Sequence, residues 1–148
     1  MADEDAANSG LHLWLILWKA HGAVREYALR DIASLGLSLT DFAILEVLLH
    51  KGPMPVNDIG QKISLTSGSM TTAVDRLEQR GLVERRSDTE DRRARIVSLT
   101  SEGQKLIQCA FGAHERTMNQ LGEVLTPHER AEAVRLLKKL GRAAAEHS

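Results

Sequence analysis

The 148-residue chain contains a single cysteine, Cys109. A lone thiol forms no internal disulfide, so a disulfide-stapled scaffold is excluded and a reducing compartment is expected. No apolar run approaches the roughly 18 residues that span a bilayer. The apolar stretch Leu11–Trp18 is short, contains His12 and follows Asp3, Glu4 and Asp5. A secretory signal opens instead on positive charge and has a longer apolar core. A cytoplasmic protein that does not enter a membrane is expected. A large charge of one sign is also missing: 19 Lys and Arg face 20 Asp and Glu, for a formal net charge of −1. That argues against undirected binding to polyanions. It leaves DNA binding open, because the distribution of charge matters more than its sum.

Chemistry-bearing constellations are sparse as well. The six histidines are His12, His21, His50, His114, His128 and His147, and no two have the i, i+4 spacing of a helical ligand couple. There is no glycine-rich phosphate loop and no nucleophile–base pair. Neither a metal site, a cofactor nor an enzyme is expected.

What is present is the balance of a globular protein, 43% hydrophobic and 26% charged, long enough to bury its own core. Residues 1–9 are small, polar and acidic, and read as a tail. Apolar residues from Leu11 to Ile32 recur at helical spacing and predict a helix to about Ser34. Its Leu13–Trp18 stretch is apolar almost all round, which suggests burial on more than one side and hence a partner subunit. A second helix is predicted over 40–50, with Thr40 as its cap and Gly52-Pro53 as its stop. A third covers about Val56–Ile63 and a fourth about Thr66–Arg80. Met70, Val74 and Leu77 form the buried stripe of the fourth, and Gly81 ends it. The period then changes. Leu82–Arg85 and Arg95–Leu99 flank the polar run from Ser87 to Arg93 and predict a β-hairpin. A fifth helix follows to about Val124, with a heptad-like seam of Ile107, Phe111, His114, Met118, Leu121 and Leu125. Thr126-Pro127 opens the sixth.

The fold expected is mainly α with a small β-hairpin. The terminal helices carry more apolar surface than one small domain can bury, so a homodimer held by them is expected. The boundaries read as 1–34 for the acidic tail and N-terminal dimerisation helix, 35–100 for the hairpin-bearing module, and 101–148 for the C-terminal dimerisation helices.

Two short helices joined by a tight turn have the spacing of a helix-turn-helix, whose second helix presents its N-terminal residues to base edges in the major groove. Here that face would carry Thr66, Ser67, Gly68, Ser69, Thr71, Thr72 and Arg76. Hydroxyls and glycine permit close approach, and Arg76 can meet a phosphate or a guanine. An ordinary solvated helix face fits the same residues, although serine and threonine are poor helix formers. The hairpin tip adds Asp91, Arg92 and Arg93. A narrow minor groove attracts inserted arginine, and a neighbouring carboxylate can aim it; a solvated charged loop is the plainer alternative. The span Lys62–Arg95 holds eight basic and six acidic residues, so the middle of the chain is locally positive.

Taken together, Leu65-Thr66-Ser67-Gly68-Ser69-Met70-Thr71, then Asp75-Arg76-Leu77-Glu78-x-Arg80-Gly81-Leu82-Val83-Glu84-Arg85, then Asp88-x-x-Asp91-Arg92-Arg93, then Val97-x-Leu99-Thr100-x-x-Gly103 resemble the MarR family over nearly the whole chain. The resemblance implies a homodimeric winged helix-turn-helix repressor of a pseudo-palindromic operator. It implies that Thr66–Arg80 is the recognition helix. It also implies that Arg93 is the minor-groove arginine of the wing, with Asp91 orienting it. Many members release DNA when a phenolic or other lipophilic molecule binds between the DNA-binding lobe and the dimer helices. On this chain Trp14, Trp18, His21, Arg25, Phe42 and Phe111 would line such a site, unless they are plain core and interface residues. Peroxide-sensing members carry a reactive cysteine in the first helix, where this chain has none. Cys109 lies in the fifth, and a thiol-oxidation sensor is an alternative only through it. A second alternative is an effector-independent DNA-organising or anti-silencing protein on the same fold.

Overall fold

The computed structural model describes residues 7–63, 67–88, 90 and 95–147. Among the described residues, six helices and three short strands follow in the order α1 Gly10–Ser34, α2 Leu39–Lys51, β1 Met54–Pro55, α3 Val56–Ile63, α4 Ser67–Gln79, β2 Val83–Ser87, β3 Arg95–Leu99, α5 Ser101–Gly122 and α6 Pro127–Glu146. The chain divides into two compact units, residues 1–114 and 115–148, with the boundary inside α5.

The first unit is built around one apolar core. Ile44, Leu45, Ile59, Met70, Val74, Leu77, Val83, Val97 and Ile107 are fully buried in it. These residues come from α2, α3, α4, β2, β3 and α5, so burial of apolar area holds the helix pair and the hairpin in one body. Ser38, not Thr40, caps α2: its side chain accepts the Asp41 amide at 3.1 Å. The expected cap fails because Leu39 already has helical geometry, which leaves Thr40 inside the first turn. The buried stripe of α4 is as its spacing predicts, with Ala73 added. Gly81, at φ +73°, takes the left-handed conformation that ends a helix.

The strands form an antiparallel sheet in the order β1-β3-β2. Val83 pairs with Leu99 and Ser87 with Arg95 at the two ends of the hairpin. β2 begins one residue later than expected and runs two further, to Ser87. β1 is not expected from the sequence, because two residues show no periodicity; Met54 pairs with Val97. The hairpin base is tied to α5. Thr100 Oγ1 donates to the Gly81 carbonyl at 2.6 Å and accepts the Gly103 amide at 3.0 Å, so one hydroxyl caps α5 and grips the turn after α4.

Most of α1 projects apolar side chains into solvent. Leu11, Leu13, Trp14, Leu15, Ile16 and Trp18 are exposed, and Ile32 is the helix's one buried residue. In the second unit, Thr126 and Glu129 form a reciprocal capping box at the start of α6. Arg130 donates to the carbonyls of Gly122 and Leu125 at 3.0 and 2.6 Å, closing the turn between α5 and α6. Val134, Leu136, Leu137 and Leu140 are exposed along α6. Among the described residues no single helix is long and apolar enough to cross a membrane.

Candidate nucleic-acid interface

The α4 helix has two sharply different faces. Met70, Ala73, Val74 and Leu77 face the core, while Gly68, Ser69, Thr71, Thr72 and Arg76 are exposed. The inward stripe fixes which residues point out, so the small polar set is presented by packing rather than by its own preferences. Thr72 donates back to the Gly68 carbonyl at 3.3 Å, which satisfies its hydroxyl hydrogen and leaves the oxygen's acceptor capacity outward. Ser67 belongs to the helix. Thr66, Asp91, Arg92 and Arg93, the rest of the expected DNA-contacting set, lie outside the described residues.

A groove of about 450 Å³ runs beside this face, lined by Thr40, Gly68, Ser69, Thr72, Ala73 and Arg76. It combines hydroxyls, backbone and one guanidinium. Thr40 brings to it the first turn of α2, whose amides make a positive helix end.

Two ion-pair systems hold α4 in place, and neither is evident in the sequence. Arg76 donates from Nη2 to Asp41 Oδ1 at 2.6 Å. The hydrogen bond and the charge of Asp41 raise the guanidinium pKa above its already high ordinary value, so Arg76 is a permanent cation. On the other flank, Arg85 of β2 forks between Asp75 at 2.6 Å and Glu78 at 3.2 Å. That fork ties the hairpin to α4 and fixes the spacing between the two. Arg86 and Arg95, at the free end of the hairpin, are exposed, although Glu84 accepts from Arg86 at 2.7 Å.

Four of the six residues expected around an effector take part in three separate ring contacts. Trp14 and Trp18 meet edge to face at 5.4 Å on the exposed side of α1. Phe42, nearly buried, lies edge-on to His114 at 5.2 Å. Phe111 lies edge-on to His50 at 4.7 Å. His21 and Arg25 are exposed on α1. The sequence places His114 in a packed seam; the structure adds its partner, Asp31 of α1, at 2.7 Å from Nδ1. Cys109 is exposed. Among the described residues no group of three His, Cys, Asp or Glu side chains is placed to hold a metal ion.

Comparison with known proteins agrees with this geometry. The MarR family model matches residues 37–94, from the turn before α2 to the hairpin. The HTH-type transcriptional regulator MhqR of Bacillus subtilis is 36% identical over 131 residues, 88% of this chain and 90% of its own length. The crystal structure of a mutant of Escherichia coli MarR with operator DNA superposes with a TM-score of 0.76, covering 90% of this chain and 96% of that one at 22% identity. The organohalide-sensing regulator RdhR-CbdbA1625, in its 2,4-dichlorophenol-bound form, superposes with a TM-score of 0.75, covering 92% of this chain and 82% of that one at 23% identity. At such identities the two structures speak for the fold, and the family model and MhqR speak for kinship. The chain belongs to the MarR family of DNA-binding transcriptional regulators.

Proposed function

We propose that the protein is a homodimeric repressor that reads a pseudo-palindromic operator and leaves it when a small lipophilic or phenolic molecule binds. The observation that carries this reading is the outer face of α4, where small polar side chains are held outward by a buried stripe and locked to the hairpin by Arg85. In the complex α4 enters the major groove, with Thr66, Ser67, Gly68, Ser69, Thr71, Thr72 and Arg76 at base edges and phosphates. The hairpin is the wing: Arg93 enters the flanking minor groove with Asp91 aiming it, and Arg92 adds a further DNA contact. Residues 1–34 and 101–148 supply the dimer contacts and residues 35–100 the DNA-binding domain. The exposed apolar side chains of α1 and α6 support the pairing, since apolar area of this extent is costly to leave in water. Repression follows from occlusion: a dimer seated on two half-sites blocks that stretch of duplex. A regulator of this kind works in the cytoplasm, where the DNA is.

The effector reading draws on the dichlorophenol held by the RdhR neighbour and on the aromatic side chains of α1, α2 and α5. The test is fluorescence anisotropy against duplexes tiling the DNA upstream of the protein's own coding sequence, with shuffled controls and a phenolic titration alongside. Tight binding to one palindromic tile, relieved by a phenolic, is the expected result. Equal weak binding to every tile, blind to phenolics, would contradict it and favour a DNA-organising protein.

A further inference from the structure

Asp41 is the only charged side chain that is buried among the described residues. It stands at the third position of α2, after the cap Ser38. An acid there commonly turns back to bond the cap's own backbone amide. This carboxylate faces the other way. Oδ1 lies 2.6 Å from Arg76 Nη2, and Oδ2 lies 3.7 Å from Arg80 Nη1. Oδ1 is thus hydrogen-bonded to Arg76, in the last turn of α4, and Oδ2 is in ion-pair range of Arg80, about one turn on and just past the helix end. The arginines remain nearly half exposed, while the carboxylate is 5% exposed.

The arrangement constrains how α4 lies. A carboxylate buried without its partners is strongly destabilising, so α4 cannot roll about its axis without stranding Asp41. The outer residues of a helix sit about 5–6 Å from its axis. A roll of about 20° therefore moves Ser69 or Thr72 by about 2 Å, enough to break a hydrogen bond to a base edge. The same contact draws one end of the Arg76 guanidinium toward α2, which limits where its remaining donors point. Without Asp41, two cations on long flexible stems would be free to reach any nearby phosphate, and phosphate contacts carry no sequence information.

We infer that Asp41 is a positioning residue for sequence discrimination: it fixes the roll of α4 and restrains Arg76 and Arg80 from indiscriminate phosphate binding. The inference rests on the reading of α4 as the recognition helix. It predicts that losing the carboxylate's charge separates specific from non-specific affinity, which a general loss of folded protein does not do.

The experiment enriches a duplex from a random pool with the wild-type protein. Affinity for that duplex and for its shuffled counterpart is then measured across a salt series, for wild type, Asp41→Asn and Asp41→Glu. For Asp41→Asn the ratio of the two affinities is expected to fall about tenfold, a loss of the size of one mismatched base pair. Its affinity for the shuffled duplex should hold or rise, with a salt slope steeper by about one to two as the freed arginines take phosphates. Asp41→Glu, which keeps the charge, should recover part of the ratio. Arg76→Lys keeps the charge on α4 but loses the guanidinium that bonds Asp41 Oδ1, so it should lower the ratio with no change in slope. Should Asp41→Asn fail to fold, Asp41→Glu carries the test: its longer carboxylate should leave the ratio below that of the wild type, and an unchanged ratio overturns the proposal. A folded Asp41→Asn with an unchanged ratio, or one that loses both affinities equally, overturns the proposal. A wild-type protein that enriches no duplex overturns the reading of α4 itself and the proposal with it.

Discussion

Gly103 has little room to change. A Cβ placed on it would lie 1.9 Å from the Leu82 carbonyl oxygen, and backbone cannot step aside as a side-chain end can. Gly103→Ala should cost about 1–3 kcal/mol, the usual range for forced overpacking. It should also lower Tm by several degrees, read by calorimetry. Arg85 behaves differently. Its partners Asp75 and Glu78 are about half exposed, so the fork contributes little to stability, about 1 kcal/mol or less. Its larger effect is geometric, since it joins the hairpin to α4. Because the Arg85 side chain is itself 12% exposed, Arg85→Ala should lower Tm by a few degrees through lost packing and weaken operator binding several-fold beyond that, whereas a binding loss no larger than the loss of folded protein would make it a folding residue only. Arg85 stands within the motif that carries the family resemblance, yet its fork is not legible there. Nothing in a linear pattern pairs residues ten and seven positions apart across a helix and a strand. Asp41 and Arg76, 35 positions apart, are legible still less, because Asp41 fits the favourable charge of a helix start and needs no other explanation.

At the scale of elements, periodicity carries much of the fold. Met70, Val74 and Leu77 recur at steps of four and three, so the inward face of α4 can be read directly, and with it the outward one. Gly81 and Thr126-Pro127 mark helix ends for reasons of backbone geometry that act locally. Where two local signals compete, sequence is insufficient: Ser38 and Thr40 are both good caps, and the helix starts at the earlier one. β1 escapes notice because its two residues become a strand only by pairing with β3. The α6 start allows a direct check. Thr126→Ala removes one half of the capping box and should cost about 1 kcal/mol, seen as a lower midpoint in urea. The N-terminal half of α1 allows another. Trp18 is 65% exposed, so Trp18→Glu should leave the fold of the chain intact, as surface substitutions usually do. On the dimer proposal it should also shift the protein toward monomer in sedimentation while the helical circular dichroism persists. A dimer of unchanged strength would take α1 out of the interface.

For the whole molecule, the family is legible in the sequence because its motif spans α4, the hairpin and the start of α5, and the matched region 37–94 takes in α4 and the first strand of the hairpin. A site for the proposed effector is not legible. Trp14, Trp18, His21, Arg25, Phe42 and Phe111 are spread over three helices, and aromatic residues in helices serve cores and interfaces as readily as ligands. Truncation after Leu125 removes α6 with its exposed Val134, Leu136, Leu137 and Leu140; on the dimer proposal the truncated chain sediments as a monomer. The central claim is that α4 reads DNA from a two-fold dimer, and a hydroxyl-radical footprint on the enriched duplex tests it most directly. Two protected half-sites related by a two-fold axis are expected, their centres about 34–36 Å apart or a multiple of that, with protection of the flanking minor grooves that weakens in Arg93→Ala. A single asymmetric patch, or even protection along any duplex offered, would contradict it.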